Sequence, residues 1–152
     1  MEEGKLKFHT NFRQLLDAKG RINMPARFRE VIEKNGDQDR DFIIVKGSDR
    51  NLALFPVREW EVKLEEVLMA VPDGKKRRNL KRLLNLNSSA QRIDKQGRLN
   101  IPAEFIEYAN LKKEVVLVGS TEKIEIWNPQ DLNATVDESQ EETLAIQDTL
   151  DI

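Results

Sequence analysis

The chain has 152 residues, 39% of them hydrophobic, with no cysteine, one histidine and a formal charge of −2. That length supports one good core or two small ones sharing an interface, and the composition suits a soluble globular protein. It leaves no place for a disulfide framework, thiolate chemistry or a histidine-rich metal centre, and no apolar run reaches membrane-spanning length. The charge is unevenly spread. Residues 131–152 carry seven acidic side chains and no Lys or Arg, which leaves residues 1–130 with 25 basic and 20 acidic groups, a formal +5. A basic body with an acidic end keeps nucleic acid open as a partner. The tail reads as a solvated, partly disordered end that can also shield a basic surface.

The opening MEEGKLKF is polar and acidic, so the expectation is a cytoplasmic chain without a secretory leader. Phe12–Leu16 reads as a first strand, followed by an Asp-x-x-Gly turn at 17–20, where Gly20 can take positive φ. Arg21–Met24 is a short second strand stopped by Pro25, which suits the first turn of a helix with Phe28, Val31 and Ile32 on one apolar face. Two more strands follow at Phe42–Ser48 and Asn51–Pro56. Val57, Trp60, Leu64, Val67, Leu68 and Val71 recur at helical spacing and predict a buried stripe. Pro72-Asp73-Gly74 interrupts that helix, and Lys75–Leu86 resumes with Leu80, Leu83 and Leu84 inward.

The second part repeats the first. Asp94–Glu107 (DKQGRLNIPAEFIE) matches Asp17–Glu30 (DAKGRINMPARFRE) at eight of fourteen positions, an offset of 77 residues. Ser89–Ile93, the turn at 94–97 with Gly97, Arg98–Ile101, Pro102 and a helix carrying Phe105, Ile106 and Ala109 correspond to the same elements in order. Val115–Ser120 and Lys123–Trp127 then match the later strand pair, and Asn128-Pro129 can cap a further helix from Asp131. Such duplication implies internal two-fold pseudosymmetry. The expected fold is mainly β with short helices (α+β): two tandem swapped-hairpin units completing one pseudo-two-fold small barrel or interlocked sheet, with a helical segment between them. The expected divisions are a first repeat at 8–60, a helical connection at 61–87, a second repeat at 88–133 and an acidic tail at 134–152.

Arg21 and Arg98 follow equivalent glycine turns and are the leading candidates for DNA contact. The planar guanidinium matches phosphate oxygens or a guanine edge, and short β elements can carry it into the major groove. Lys19 and Lys95 lie in the same turns and can approach phosphate, although their register differs between repeats. Arg27 and Arg29 extend the positive surface of the first repeat alone, their counterparts being Glu104 and Ile106. Asp17 and Asp94, with Gly20 and Gly97, are read as groups that orient the loop. Two roles therefore fit the arginines: ion pairs that fix the hairpins, or DNA contacts preorganised by those same pairs. A hydrolase using the two aspartates has no pocket to support it.

The basic run Lys75, Lys76, Arg77, Arg78, Lys81 and Arg82 fits a solvated helix face, phosphate contacts or a subunit contact. The aromatics Trp60, Trp127, Phe55, Phe28 and Phe105 fit core positions. No phosphate-loop, dinucleotide or zinc-protease signature occurs, so the reading is noncatalytic, without cofactor, metal or small-molecule substrate.

The stretches Leu16–Arg29 and Ile93–Ala103, with Leu54–Trp60 and Glu114–Gly119, closely resemble the paired DxxxR motifs and flanks of MraZ proteins, over about residues 8–133. The resemblance implies tandem AbrB-like (SpoVT-AbrB) units in a bacterial transcriptional regulator. It also implies a cyclic homo-oligomer, associated with the nucleoid, on repeated promoter elements of double-stranded DNA upstream of the division and cell-wall gene cluster. It assigns DNA reading to Arg21 and Arg98 and loop support to Asp17 and Asp94. The chain departs from the family at Phe8-His9-Thr10, where a glycine often follows the first Phe, and at Asn87–Ala90, where a small Gly-Ala element is common. The alternative function is a noncatalytic protein-binding module such as an AbrB-like antitoxin.

Overall fold

The computed structural model describes residues 4–152. Strand β1 (Asn11–Leu15) leads through the first Asp-x-x-Gly turn into β2 (Arg21–Asn23) and helix α1 (Ala26–Lys34). Strands β3 (Phe42–Lys46) and β4 (Leu52–Pro56) precede the helical pair α2 (Val57–Met69) and α3 (Gly74–Leu86). The repeat then supplies β5 (Ser88–Gln91), β6 (Arg98–Asn100), α4 (Ala103–Tyr108), β7 (Glu114–Ser120) and β8 (Lys123–Trp127). Helices α5 (Pro129–Asp137) and α6 (Gln140–Thr149) end the described chain.

The strands form two sheets. Six lie in the order β1-β7-β8-β4-β3-β5, and β2 pairs only with β6. The expected barrel does not form, because the large sheet begins at β1 and ends at β5 and these edges do not pair. Closure requires matched strand tilt and stagger around the whole ring. Here Pro25 and Pro102 stop β2 and β6 after three residues each, so those strands split off as a separate ribbon instead of bridging the edges. The description as mainly β is also corrected: among the described residues more lie in helices than in strands.

The pseudosymmetry is expressed in the pairing. Strand β1 of the first repeat joins β7 of the second, and β5 of the second joins β3 of the first. Neither repeat therefore completes its own sheet. Ile22 faces Leu99 at the middle of the ribbon, and Leu52 faces Ile126 while Leu54 faces Ile124 at the middle of the large sheet. Ile22 and Leu99 are equivalent residues of the two repeats, and the pairs Leu52–Ile126 and Leu54–Ile124 exchange under the same correspondence, as one two-fold axis requires.

One core lies between the ribbon and the large sheet. Ile22, Leu99, Met24 and Ile101 descend into it from the ribbon, and Leu52, Leu54, Ile124 and Ile126 rise from the central strands. The Phe28 ring closes one side, edge-on to Phe8 at 5.4 Å and Phe12 at 5.0 Å. A smaller cluster on the opposite sheet face joins Val45, Ala53 and Phe55 to Ile43 and Trp60. Strand β4 is buried on both faces for that reason.

The predicted buried stripe of α2 is not buried. Trp60, Leu64, Val67 and Leu68 are only half-covered, and Val62 and Met69 are exposed. Helix α2 meets the sheet near its start and otherwise packs on α3, so a two-helix hairpin shields its seam incompletely. Its turn is well tied: the Asp73 carboxylate accepts from the backbone N–H groups of Lys75 and Lys76, and Arg77 Nε donates to the carbonyls of Leu68 and Val71. Asn128 caps α5 in the expected way, accepting from Gln130 and Asp131 N–H groups. The acidic end is helical at Gln140–Thr149 and exposed throughout that stretch.

Candidate nucleic-acid interface

The two arginine loops have the same construction. In the first, the backbone N–H of Gly20 donates to the Asp17 carbonyl, and the N–H of Asp17 donates to the Arg21 carbonyl. Asp17 Oδ1 then accepts from the N–H groups of Lys19 and Arg21, each at 2.9 Å, while Oδ2 accepts from Arg21 Nε at 2.9 Å. In the second, Asp94 Oδ1 accepts from the N–H groups of Gln96 and Arg98, and Oδ2 from Arg98 Nε, again at 2.9 Å. The four-residue spacing is what lets one carboxylate hold both the loop backbone and the guanidinium.

These bonds stabilise the charged carboxylate. The Arg21 backbone N–H, followed by its side chain, the Lys19 N–H and the positive charge of Arg21, holds Asp17 below its ordinary carboxyl value despite some desolvation. Asp94 is lowered in the same way, first by the backbone N–H of Arg98. Both loops thus carry an ionised aspartate at neutral pH. Each guanidinium is bound through Nε, and its two terminal nitrogens have no protein partner among the described residues.

The glycines set the two loops against opposite halves of the molecule. Gly20 has φ +79° and Gly97 φ +82°, conformations that disfavour an L side chain. A Cβ on Gly20 would sit 3.0 Å from the Ile101 carbonyl oxygen and 3.3 Å from Ile106 Cδ1. One on Gly97 would sit 2.8 Å from Arg29 Cδ. Ile106 and Arg29 are equivalent residues, so each repeat covers the other repeat's turn.

The paired strands place the arginines together. Arg21 lies opposite Asn100 and Asn23 opposite Arg98, with Ile22 opposite Leu99 between them. Alternation along a strand sends Ile22 and Leu99 inward, where they are 1% and 0% exposed. Arg21, Asn23, Arg98 and Asn100 share the outward face, with the arginines partly covered and the asparagines exposed. A two-stranded ribbon has the width that the major groove of B-DNA admits. The asparagines were not among the residues singled out from sequence. Their signal was present, since Asn is one of the eight letters shared by the repeats at an outward strand position.

Lys19 and Lys95 are exposed beside these loops. The α3 cations are not equivalent: Arg77 is held by the end of α2 and Arg82 Nη1 by Asn79 Oδ1, whereas Lys75, Lys76, Arg78 and Lys81 are exposed with no side-chain partner among the described residues. No group of three or more His, Cys, Asp or Glu side chains suited to a metal occurs among the described residues.

The chain matches the family model described as "MraZ protein, putative antitoxin-like" over residues 8–82 and 85–151. It is similar to a protein named transcriptional regulator MraZ from Halothermothrix orenii, with 36% identity over 149 residues covering 95% of this chain and 99% of that protein. The protein of the same name from Carboxydothermus hydrogenoformans is 40% identical over 124 residues, covering 81% and 82% of the two chains. That from Pediococcus pentosaceus is 36% identical over 135 residues, covering 88% and 90%. With matches of this extent across both repeats, the chain belongs to the MraZ family.

Proposed function

We propose that this protein is a sequence-specific DNA-binding transcriptional regulator of the MraZ type, noncatalytic, acting on repeated promoter elements of the division and cell-wall gene cluster. The observation that carries the reading is the β2–β6 ribbon, which holds Arg21 and Arg98 on one outward face with their terminal guanidinium nitrogens unengaged by protein. The names of the relatives, each a transcriptional regulator, agree with it. Lys19 and Lys95 flank the ribbon as phosphate contacts. Asp17, Asp94, Gly20 and Gly97 keep both loops in the shape that aims the arginines.

The repeats at 8–60 and 88–133 act as one reading unit joined by the 61–87 connection, with 134–152 as the acidic tail. Several units in a cyclic homo-oligomer bind spaced boxes more tightly than one unit binds one box, because later contacts form at high effective concentration. Lys75, Lys76, Arg78 and Lys81 are proposed to contact phosphate or a neighbouring subunit. The working location is the cytoplasm, on the nucleoid; no helix among the described residues is long and apolar enough to cross a membrane. Genome-wide occupancy of the intact protein and an Arg21→Ala/Arg98→Ala variant tests this reading. Enrichment at promoters that disappears in a folded variant supports it, and equal enrichment for both refutes it.

A second reading, an antitoxin-like protein-binding module, is favoured by the wording of the family description and by the exposed acidic helix α6. It predicts a stoichiometric protein partner lost on removal of residues 134–152, together with no promoter occupancy.

A further inference from the structure

The ribbon's outward face holds two asparagines as well as two arginines, and nothing above gives the amides a role. Each asparagine stands directly across from the arginine of the other repeat: Asn100 opposite Arg21 and Asn23 opposite Arg98. Both are exposed, and neither side chain makes a hydrogen bond to another described residue. An asparagine needed for folding would be expected to spend its amide on backbone groups, as Asn128 does when it caps α5 and donates to the Asn110 carbonyl. Asn23 and Asn100 leave both the carbonyl and the NH2 group available.

We propose that Asn23 and Asn100 are base-reading residues, each set beside an arginine of the opposite repeat so that the ribbon reads adenine next to guanine. The inference rests on the DNA-binding reading above and specifies its ligand. An arginine whose Nε is fixed presents its remaining N–H groups to guanine O6 and N7. An asparagine amide offers one donor and one acceptor, the complement of adenine N7 and N6 in the major groove. Cross-strand neighbours in an antiparallel pair have Cβ atoms about 4.5–5.5 Å apart, within reach of adjoining base pairs stacked about 3.4 Å apart. The hydrophobic pair Ile22 and Leu99, sealed beneath, fixes the register that puts all four polar groups on one side.

The aspartates give this arrangement its rigidity. Because Asp17 and Asp94 hold Nε and the loop N–H groups together, the arginines enter the groove already oriented, and the asparagines ride on the same three-residue strands. Base discrimination and general phosphate attraction are thereby carried by different groups. Lys19, Lys95 and the exposed α3 cations Lys75, Lys76, Arg78 and Lys81 supply the second, which is sequence-independent.

The test is selection of duplexes from a library with randomised bases by the full-length protein and by Asn23→Ala, Asn100→Ala and the double variant, followed by titration of the selected sites over a range of salt. The expected result is loss of preference at adenine positions beside a retained guanine, roughly 5- to 150-fold per position, with an unchanged salt slope. Asn23→Asp and Asn100→Asp are expected to shift preference toward cytosine, whose N4 group donates to a carboxylate. Thermal melting confirms that each variant is folded; Asn→Ser variants replace any that is not. Unaltered base preference in folded variants overturns the inference while leaving the arginine reading intact. Uniform weakening on every sequence also overturns it, since that assigns the amides to backbone contact. A wild-type protein that selects no sequence overturns both readings.

Discussion

Arg29, on the helix after the first arginine loop, lies against Gly97 in the second, its Cδ 2.8 Å from the position a Gly97 Cβ would take. At the equivalent place Gly20 faces a backbone oxygen, that of Ile101, at 3.0 Å. Both glycines have positive φ, so Gly20→Ala and Gly97→Ala are each expected to destabilise by more than about 1 kcal/mol. The difference lies in what can move. Arg29→Ala is expected to restore part of the stability lost in Gly97→Ala, whereas Ile106→Ala cannot relieve the carbonyl contact in Gly20→Ala. Urea denaturation of the two double-mutant cycles measures this; equal rescue in both would contradict the contact assignments.

Arg77 belongs to the basic run by sequence and to the helical hairpin by structure. Its Nε donates at 3.1 Å to the Leu68 carbonyl, which also accepts from the Val71 N–H, and at 2.9 Å to the Val71 carbonyl just beyond α2, so one side chain ties the helix end to the turn. Arg77→Ala is expected to cost about 1–3 kcal/mol of unfolding free energy. Arg78→Ala, at an exposed neighbour without such bonds, should change stability by less than about 0.5 kcal/mol. Denaturant midpoints for the two variants decide between this division and a uniformly solvated charge run.

Acid should loosen both arginine loops together. Asp17 and Asp94 have folded pKa values below the ordinary 3.8, each lowered chiefly by the backbone N–H of its arginine. Below that value the unfolded chain takes up protons that the folded loops still refuse. Their contribution is therefore present above the ordinary value and is lost as pH falls through the depressed one. The denaturation midpoint of the wild type should fall more steeply below about pH 4 than that of Asp17→Asn/Asp94→Asn. Parallel curves would show that the carboxylates are not coupled to folding.

The duplicated motif made much of this legible. The match of Asp17–Glu30 to Asp94–Glu107 revealed the two loops, the proline-terminated strands and the swapped character of the halves. It did not reveal that the large sheet stays open, because strand pairing depends on which edges meet in space, and β1 and β5 do not. The stripe from Val57 to Val71 had the right period for a helix, yet periodicity does not state how much surface is available to cover it. Asn23 and Asn100 were visible as shared letters, but their placement across from Arg98 and Arg21 needed the antiparallel register. The separate employment of Arg77 depended on a turn that brings α3 back to the end of α2, which composition alone does not encode.

The central claim is that Arg21 and Arg98 together grip DNA from one ribbon face. Its most direct measurement is a titration of wild type, Arg21→Ala, Arg98→Ala and the folded double variant against duplexes bearing spaced promoter boxes or a scrambled sequence, at fixed salt. The expected result is reduced affinity in each single variant and loss of discrimination between the two duplexes in the double variant. Wild-type affinity and discrimination in the double variant would contradict it.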